Sequence, residues 1–201
     1  MSQFFGKGQL LYPAALILLS ACTAAPPQHE PIASVSKPPA LPRSYDQALA
    51  LMQSGDYAQA IPVLLKFIDE EPGLAGPYLN LGIAYRETAQ LDVAQEALQK
   101  AIGLNPTNAV AHHQIAIVYR EQGSFDAALE EYKQALKLAP DYALAHRNLG
   151  ILYDLYLQQP TAALGHYRTY LELGQQTDSQ VRDWVVDLER RVSSAQARAE
   201  Q

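Results

Sequence analysis

The chain has 201 residues, 48% of them hydrophobic, with 15 basic and 21 acidic side chains. That apolar content is enough for a packed core and excludes a wholly disordered chain. The excess of acid argues against nucleic-acid or anionic-lipid binding through a basic surface, and a single cysteine excludes an internal disulfide or a paired-cysteine zinc site.

At the amino terminus Lys7 and the free amine precede an apolar run from Leu10 to Leu19, closed by the small residues Ser20 and Ala21. That is the layout of a secretory signal peptide, here residues 1–21. A run of roughly ten residues is too short to cross a bilayer of ~30 Å as a helix, which needs about 20. Pro13 inside the run also opposes a regular spanning helix. Leu19-Ser20-Ala21-Cys22 resembles the bacterial lipobox, in which a dedicated peptidase cuts just before the cysteine. The resemblance implies a diacylglyceryl thioether on Cys22 and an acylated amino group, with no other cofactor. Several acyl chains hold a protein stably on a membrane. Thr23 stands where an aspartate resembles the inner-membrane retention signal, so the resemblance points to the outer membrane, periplasmic face. The alternative is an incidental cysteine beside an unlipidated signal.

Residues 22–43 hold six prolines and show no apolar periodicity. Such a stretch cannot bury enough surface to fold and favours extended polyproline geometry. It is read as a tether, the alternative being a proline-rich ligand for a small recognition domain.

From residue 44 to 177 the chain repeats itself. "YLNLGIAYRETAQLDVAQEALQKAIGLNP" (78–106) aligns with "HHQIAIVYREQGSFDAALEEYKQALKLAP" (112–140) at an offset of 34 residues. Tyr85 falls on Tyr119, Ala94 on Ala128, Ala101 on Ala135 and Pro106 on Pro140. A further copy begins at Ala143, and an earlier one carries Ala48, Gly55, Tyr57, Ala60, Phe67 and Pro72. Period and residues resemble the tetratricopeptide repeat. The expectation is an all-α, right-handed solenoid of about four helix pairs, near 41–74, 75–108, 109–142 and 143–177. Small residues (Gly82, Ala116, Gly150, Ala94, Ala128) let helices approach, and larger ones (Tyr85, Leu98, Tyr132) fill between them. Each proline ends a second helix. No unit buries its apolar face alone, so stability rests on stacked neighbours.

The last copy carries one extra residue between Tyr153 and Ala163, which keeps register if it lies in the turn. Thr177 and Gln180 have capping-box spacing. Val181, Trp184, Val185, Leu188 and Val192 then share one helical face, predicting a capping helix within 178–201.

Nothing in the sequence has the spacing of a metal site, a phosphate loop or a nucleophilic triad. His112 and His146, at equivalent offsets, are read as packing residues rather than metal ligands. The reading is therefore a non-enzyme without a small-molecule substrate. The first helix of each pair lines a concave groove in proteins of this resemblance. Leu49, Ile83, Ile117 and Ile151 form an apolar row there, beside Tyr45, Leu79, His113 and Arg147, with Arg86 and Arg120 further along. Family members that clamp a carboxylate use asparagine at the offset the Leu/Ile row fills, so an amphipathic or extended segment with apolar anchors is expected instead. The implied role is an outer-membrane scaffold for another envelope protein, as in pilotins, hydrolase adaptors or accessories of energy-coupling complexes. The alternative is a self-associating structural lipoprotein. Either way the membrane is engaged through lipid.

Overall fold

The structure is a computed structural model that describes residues 43–175 and 177–199. The signal segment, Cys22 and the tether up to residue 42 lie outside the described residues. Every regular element described is helical: α1 (Arg43–Gln53), α2 (Tyr57–Glu70), α3 (Ala75–Glu87), α4 (Leu91–Leu104), α5 (Ala109–Glu121), α6 (Phe125–Leu138), α7 (Ala143–Ile151), α8 (Pro160–Tyr170) and α9 (Ser179–Ala199). Helices α1 to α8 form four antiparallel pairs stacked in series as a tetratricopeptide-like solenoid, and α9 packs on α8. No helix of the described residues is long and apolar enough to cross a membrane.

The pairs are built at the 34-residue period. Glu71, Asn105 and Ala139 cap α2, α4 and α6, their N–H groups donating to the carbonyls of Phe67, Ala101 and Ala135. Pro72, Pro106 and Pro140 follow directly, where the helix cannot continue. Within each pair the turn needs one residue in the left-handed region, at Gly55, Ala89, Gly123 and Gln158. Asn108 caps α5 by accepting from the N–H groups of Val110 and Ala111.

Small residues set the distance between paired helices. A Cβ built on Gly82 would stand 2.5 Å from Leu98 Cγ, and one on Gly150 would stand 2.6 Å from the Tyr167 ring. Ala94, Ala116 and Ala128 are fully buried, as are Leu98 and Tyr132 beside them.

Two expectations need correction. The extra residue of the fourth repeat does not lie in the turn alone. Helix α7 runs into a π-helical stretch, Leu152–Tyr156, where Leu157 N–H donates to the Leu152 carbonyl. The wider turn absorbs the insertion, so Ala163, Tyr167 and Tyr170 still reach the core. The cap of α9 is Asp178, not Thr177: Asp178 Oδ1 accepts from Val181 N–H at 3.1 Å, while Oδ2 accepts from the Tyr170 hydroxyl at 3.0 Å. Those bonds hold the Asp178 carboxyl below the usual carboxylate range. Val181 and Leu188 of α9 are buried against α8, and Trp184 meets the Tyr167 ring at 5.3 Å, so the helix covers the end of the array.

Two substitutions of opposite sign test this packing. Gly82→Ala should lower stability by roughly 1–3 kcal/mol, because Leu98 must leave its place. Ala89→Gly should raise it by roughly 0.5–1 kcal/mol, since glycine adopts φ of +59° without the Cβ penalty. Urea unfolding followed by circular dichroism reads both.

Candidate partner-binding groove

The first helices α1, α3, α5 and α7 form the inner layer, and side chains at one offset tie them together. Asn80 Nδ2 donates to the Tyr45 hydroxyl at 2.7 Å, and Asn148 Nδ2 donates to His113 Nε2 at 2.8 Å. The middle step pairs Leu79 with Gln114, and there no polar partner exists. Gln114 Oε1 is buried without a hydrogen bond.

The predicted groove residues divide into two sets. Tyr45 is buried and stacks on Phe67 with ring centroids 5.0 Å apart. His113 is 2% exposed and Ile117 8% exposed. Ile117 therefore cannot serve as the centre of an open apolar row: it packs among Ala116, Tyr132, Leu149 and Leu152, where α7 closes against α5. Leu49, Leu79, Ile83 and Ile151 are half-buried and keep part of their surface accessible.

Arg86 and Arg120 are also half-buried. Glu121 Oε1 lies 3.6 Å from Arg86 Nη1 and 3.9 Å from Arg120 Nη2, and Arg86 additionally pairs with Glu87. One carboxylate is thus shared by two guanidinium groups. The Nε atoms of both arginines are buried and have no acceptor, and the Tyr132 hydroxyl is likewise buried without a partner. Arg147 is drawn elsewhere. Its guanidinium lies over the Trp184 ring, 5.4 Å from the centroid, with Nε 3.9 Å from Asp178.

The sequence reading missed Glu121, Gln114 and Asn148, and gave Tyr132 only the role of filling space between helices. Gln114 and Asn148 could have been found from the offset, since Asn80, Gln114 and Asn148 recur every 34 residues. Among the described residues no group of three or more His, Cys, Asp and Glu side chains converges as a metal site would.

His113 is the electrostatic reporter of this face. With Asn148 donating to Nε2, the ring proton sits on Nδ1 beside the Tyr142 hydroxyl, 3.1 Å away. Burial first, and then the positive charge of Arg86 and Arg120, pushes the imidazole down to about 4. In the unfolded chain an imidazole titrates near 6.5. Between these values the unfolded state binds the extra proton, so stability falls as pH falls from 6.5 towards 4. His113→Gln should remove a share of that loss on the order of 2–3 kcal/mol, read as a shallower fall of the thermal transition than in the parent.

A tetratricopeptide repeat model matches residues 51–116, and a TPR repeat model matches residues 118–155. A search of curated proteins finds no significant match. Among solved structures, a thermophilic TPR protein of Thermus thermophilus is 27% identical, with 72% of this chain and 79% of that one covered at a TM-score of 0.62. PilF of Pseudomonas aeruginosa is 21% identical, with 76% and 68% covered at a TM-score of 0.68. YrrB, described as a TPR protein with an unusual peptide-binding site, is 22% identical, with 69% and 70% covered at 0.59. These matches fall on the helix pairs whose caps, turns and small-residue contacts follow the same period. The chain carries tetratricopeptide repeats over residues 51–116 and 118–155.

Proposed function

We propose that the chain is a lipid-anchored scaffold of the bacterial outer membrane that holds a segment of another envelope protein in its inner groove. The observation that carries the binding half is the Arg86–Glu121–Arg120 cluster, in which both guanidinium groups keep a buried Nε–H without an acceptor. Buried donors in a folded protein ordinarily find partners. A bound segment offering backbone carbonyls or a carboxylate would supply them. Ile83 and Ile151, half-buried on either side in the stack, would take apolar anchors of the same segment. A peptide-binding site in YrrB, a protein of the same fold, agrees with this use of the scaffold. We read the chain as a binding protein rather than an enzyme.

The envelope half rests on Leu19-Ser20-Ala21-Cys22 and on the proline-rich stretch that follows. Cys22 is then the first residue of the mature chain and carries the lipid. Intact mass of the membrane-extracted protein checks this. A mature chain starting elsewhere, or an unmodified Cys22, defeats the anchoring claim, and Cys22→Ser should leave the precursor uncut and the protein unlipidated.

The groove is tested by crosslinking in membranes and affinity measurement with the recovered partner. Arg120→Ala should weaken binding about tenfold or more, the equivalent of 1.4 kcal/mol, since arginine is among the residues in which interface energy concentrates. The thermal transition should change little, because the side chain is not part of the apolar core. Unchanged affinity in a folded Arg120→Ala protein moves the binding surface off the groove. Recovery of the chain alone, with association that light scattering shows falling apart on dilution, favours self-assembly.

A further inference from the structure

The edge of the solenoid where first helices turn into second helices changes character at the fourth repeat. Arg86 and Arg120 stand one period apart, each followed by a glutamate, and the same two positions one repeat on are Asp154 and Leu155. The position after that is Thr88, then Gln122, then Tyr156. Leu155 is 65% exposed, more than any other large apolar side chain among the described residues, and Tyr156 is 43% exposed. Both belong to the π-helical turn Leu152–Tyr156. Phe125, which opens α6, meets the Tyr156 ring with centroids 4.7 Å apart. With Leu157 it packs on the core around Tyr132. The aromatic pair is thus anchored on the core while Tyr156 and Leu155 face solvent. Apolar surface left open in this way marks contact sites, and π-helical turns are frequent at functional positions.

The charged part of the edge adjoins this apolar part. Burial raises the Tyr132 hydroxyl above its ordinary value, and Arg120, Glu121, Arg86 and Tyr156 all act on it, which gathers the four around one buried, unpartnered oxygen. Each carboxylate of the edge already has a guanidinium. Glu87 pairs with Arg86, Glu121 is shared by Arg86 and Arg120, and Asp154 accepts from Arg191 of α9 at 2.9 Å. What remains is donor capacity. Glu121 stands 3.6 Å from Arg86 and 3.9 Å from Arg120, too far to hydrogen-bond either. Both arginine side chains are 18% exposed, so part of each is open to a ligand.

We propose that this edge receives an acidic–apolar stretch of a partner protein, its carboxylate side chain on Arg86 and Arg120 and a neighbouring aromatic or large aliphatic side chain on Leu155, Tyr156 and Phe125. The inference rests on the groove reading given above and names the chemistry of the segment that the groove takes. A carboxylate meets a guanidinium with two parallel, charge-assisted hydrogen bonds, which a single backbone carbonyl cannot do. The field is already favourable. After burial, it is the charges of Arg86 and Arg120 that hold the His113 imidazole down. A basic segment would find every carboxylate of this edge engaged and two guanidinium groups opposing it. The apolar side chain gains by covering a leucine and a tyrosine that water now touches.

The test is selection of phage-displayed short random peptides on the full chain, then affinity measurement of the enriched peptides, synthesised with both ends blocked. They should pair an aspartate or glutamate with an aromatic or large aliphatic residue a few positions away. Leu155→Ser, Tyr156→Ser and Arg120→Gln should each weaken binding about tenfold or more. Leu155 and Tyr156 are exposed, so their replacement should leave the thermal transition in place. Changing the peptide's acid to its amide should cost the parent about tenfold and the Arg120→Gln protein little, as coupled partners require. Loss with Arg120→Gln but not with Leu155→Ser or Tyr156→Ser overturns the proposal and leaves the groove reading standing. Peptides indifferent to all three variants, a basic consensus, or no enrichment at all also overturn it, while the groove reading is judged separately by the crosslinked partner and Arg120→Ala. Self-association of the parent that Leu155→Ser abolishes would give the apolar edge to a second copy, and the proposal would fall.

Discussion

The constraint on which the rest of this molecule depends is the closeness of the two helices in each pair. At Gly82 and Gly150 the opposing side chain occupies the volume where a Cβ would be, so α3 touches α4, and α7 touches α8, across a surface with no room to spare. Close approach lets one large residue per pair, Leu98, Tyr132 or Tyr167, be fully enclosed by the inner and outer layers. Enclosure of these residues provides burial that a single pair, exposed on both flanks, could not achieve, which is why the units stand only in stacks. The short turns with a left-handed residue follow from the same demand, since a longer loop would let the pair splay.

Burial by stacking creates a problem for the inner layer, where polar groups also become enclosed. The solution is a relay from one first helix to the next, Tyr45 to Asn80 and His113 to Asn148. It fails at one step, where Leu79 leaves Gln114 Oε1 without a partner. The two arginines with unpaired Nε–H groups belong to α3 and α5, the helices joined at that step. Polar satisfaction is therefore least complete in the centre of the array and complete at the relay steps on either side. Native proteins concentrate such departures at working surfaces, so the centre of the groove is where a ligand has most to add.

Much of this was legible in the sequence, because a period of 34 residues makes each copy a check on the others. Proline placement gave the ends of α2, α4 and α6, and the apolar face of α9 announced a cover for the last pair. What failed was local and had local causes. Thr177 and Gln180 have the spacing of a capping box, but Asp178 is a stronger acceptor and is braced by the Tyr170 hydroxyl, a contact eight residues away in sequence. The inserted residue of the fourth repeat went into a helical turn because the backbone could keep its hydrogen bonds by widening. Ile117 occupies the same offset as Ile83, yet it is buried, because Tyr132 and Leu152 crowd its flank. Periodicity assigns a residue to a face; it does not say how far the next helix leans across that face.

That distinction explains why one architecture can carry different chemistry at equivalent positions. The offset occupied by Tyr78, His112 and His146 opens each first helix after a proline turn, and its partner on the second helix is Ala97, Glu131 or His166. The two histidines make the same bond to a proline carbonyl, so the join between repeats is held in the same way in both. The partner is free to be a carboxylate, as where Glu131 Oε2 stands 2.6 Å from His112 Nδ1, or an imidazole, as where His166 Nδ1 faces His146 Nδ1 at 2.9 Å. Because each repeat's stability is set mainly by its own pair and its immediate neighbours, such an exchange alters the chemistry of one junction without disturbing the others. In this chain the junction so altered is also the one where α7 takes its π-helical turn, since the inserted residue sets the register that brings His166 opposite His146.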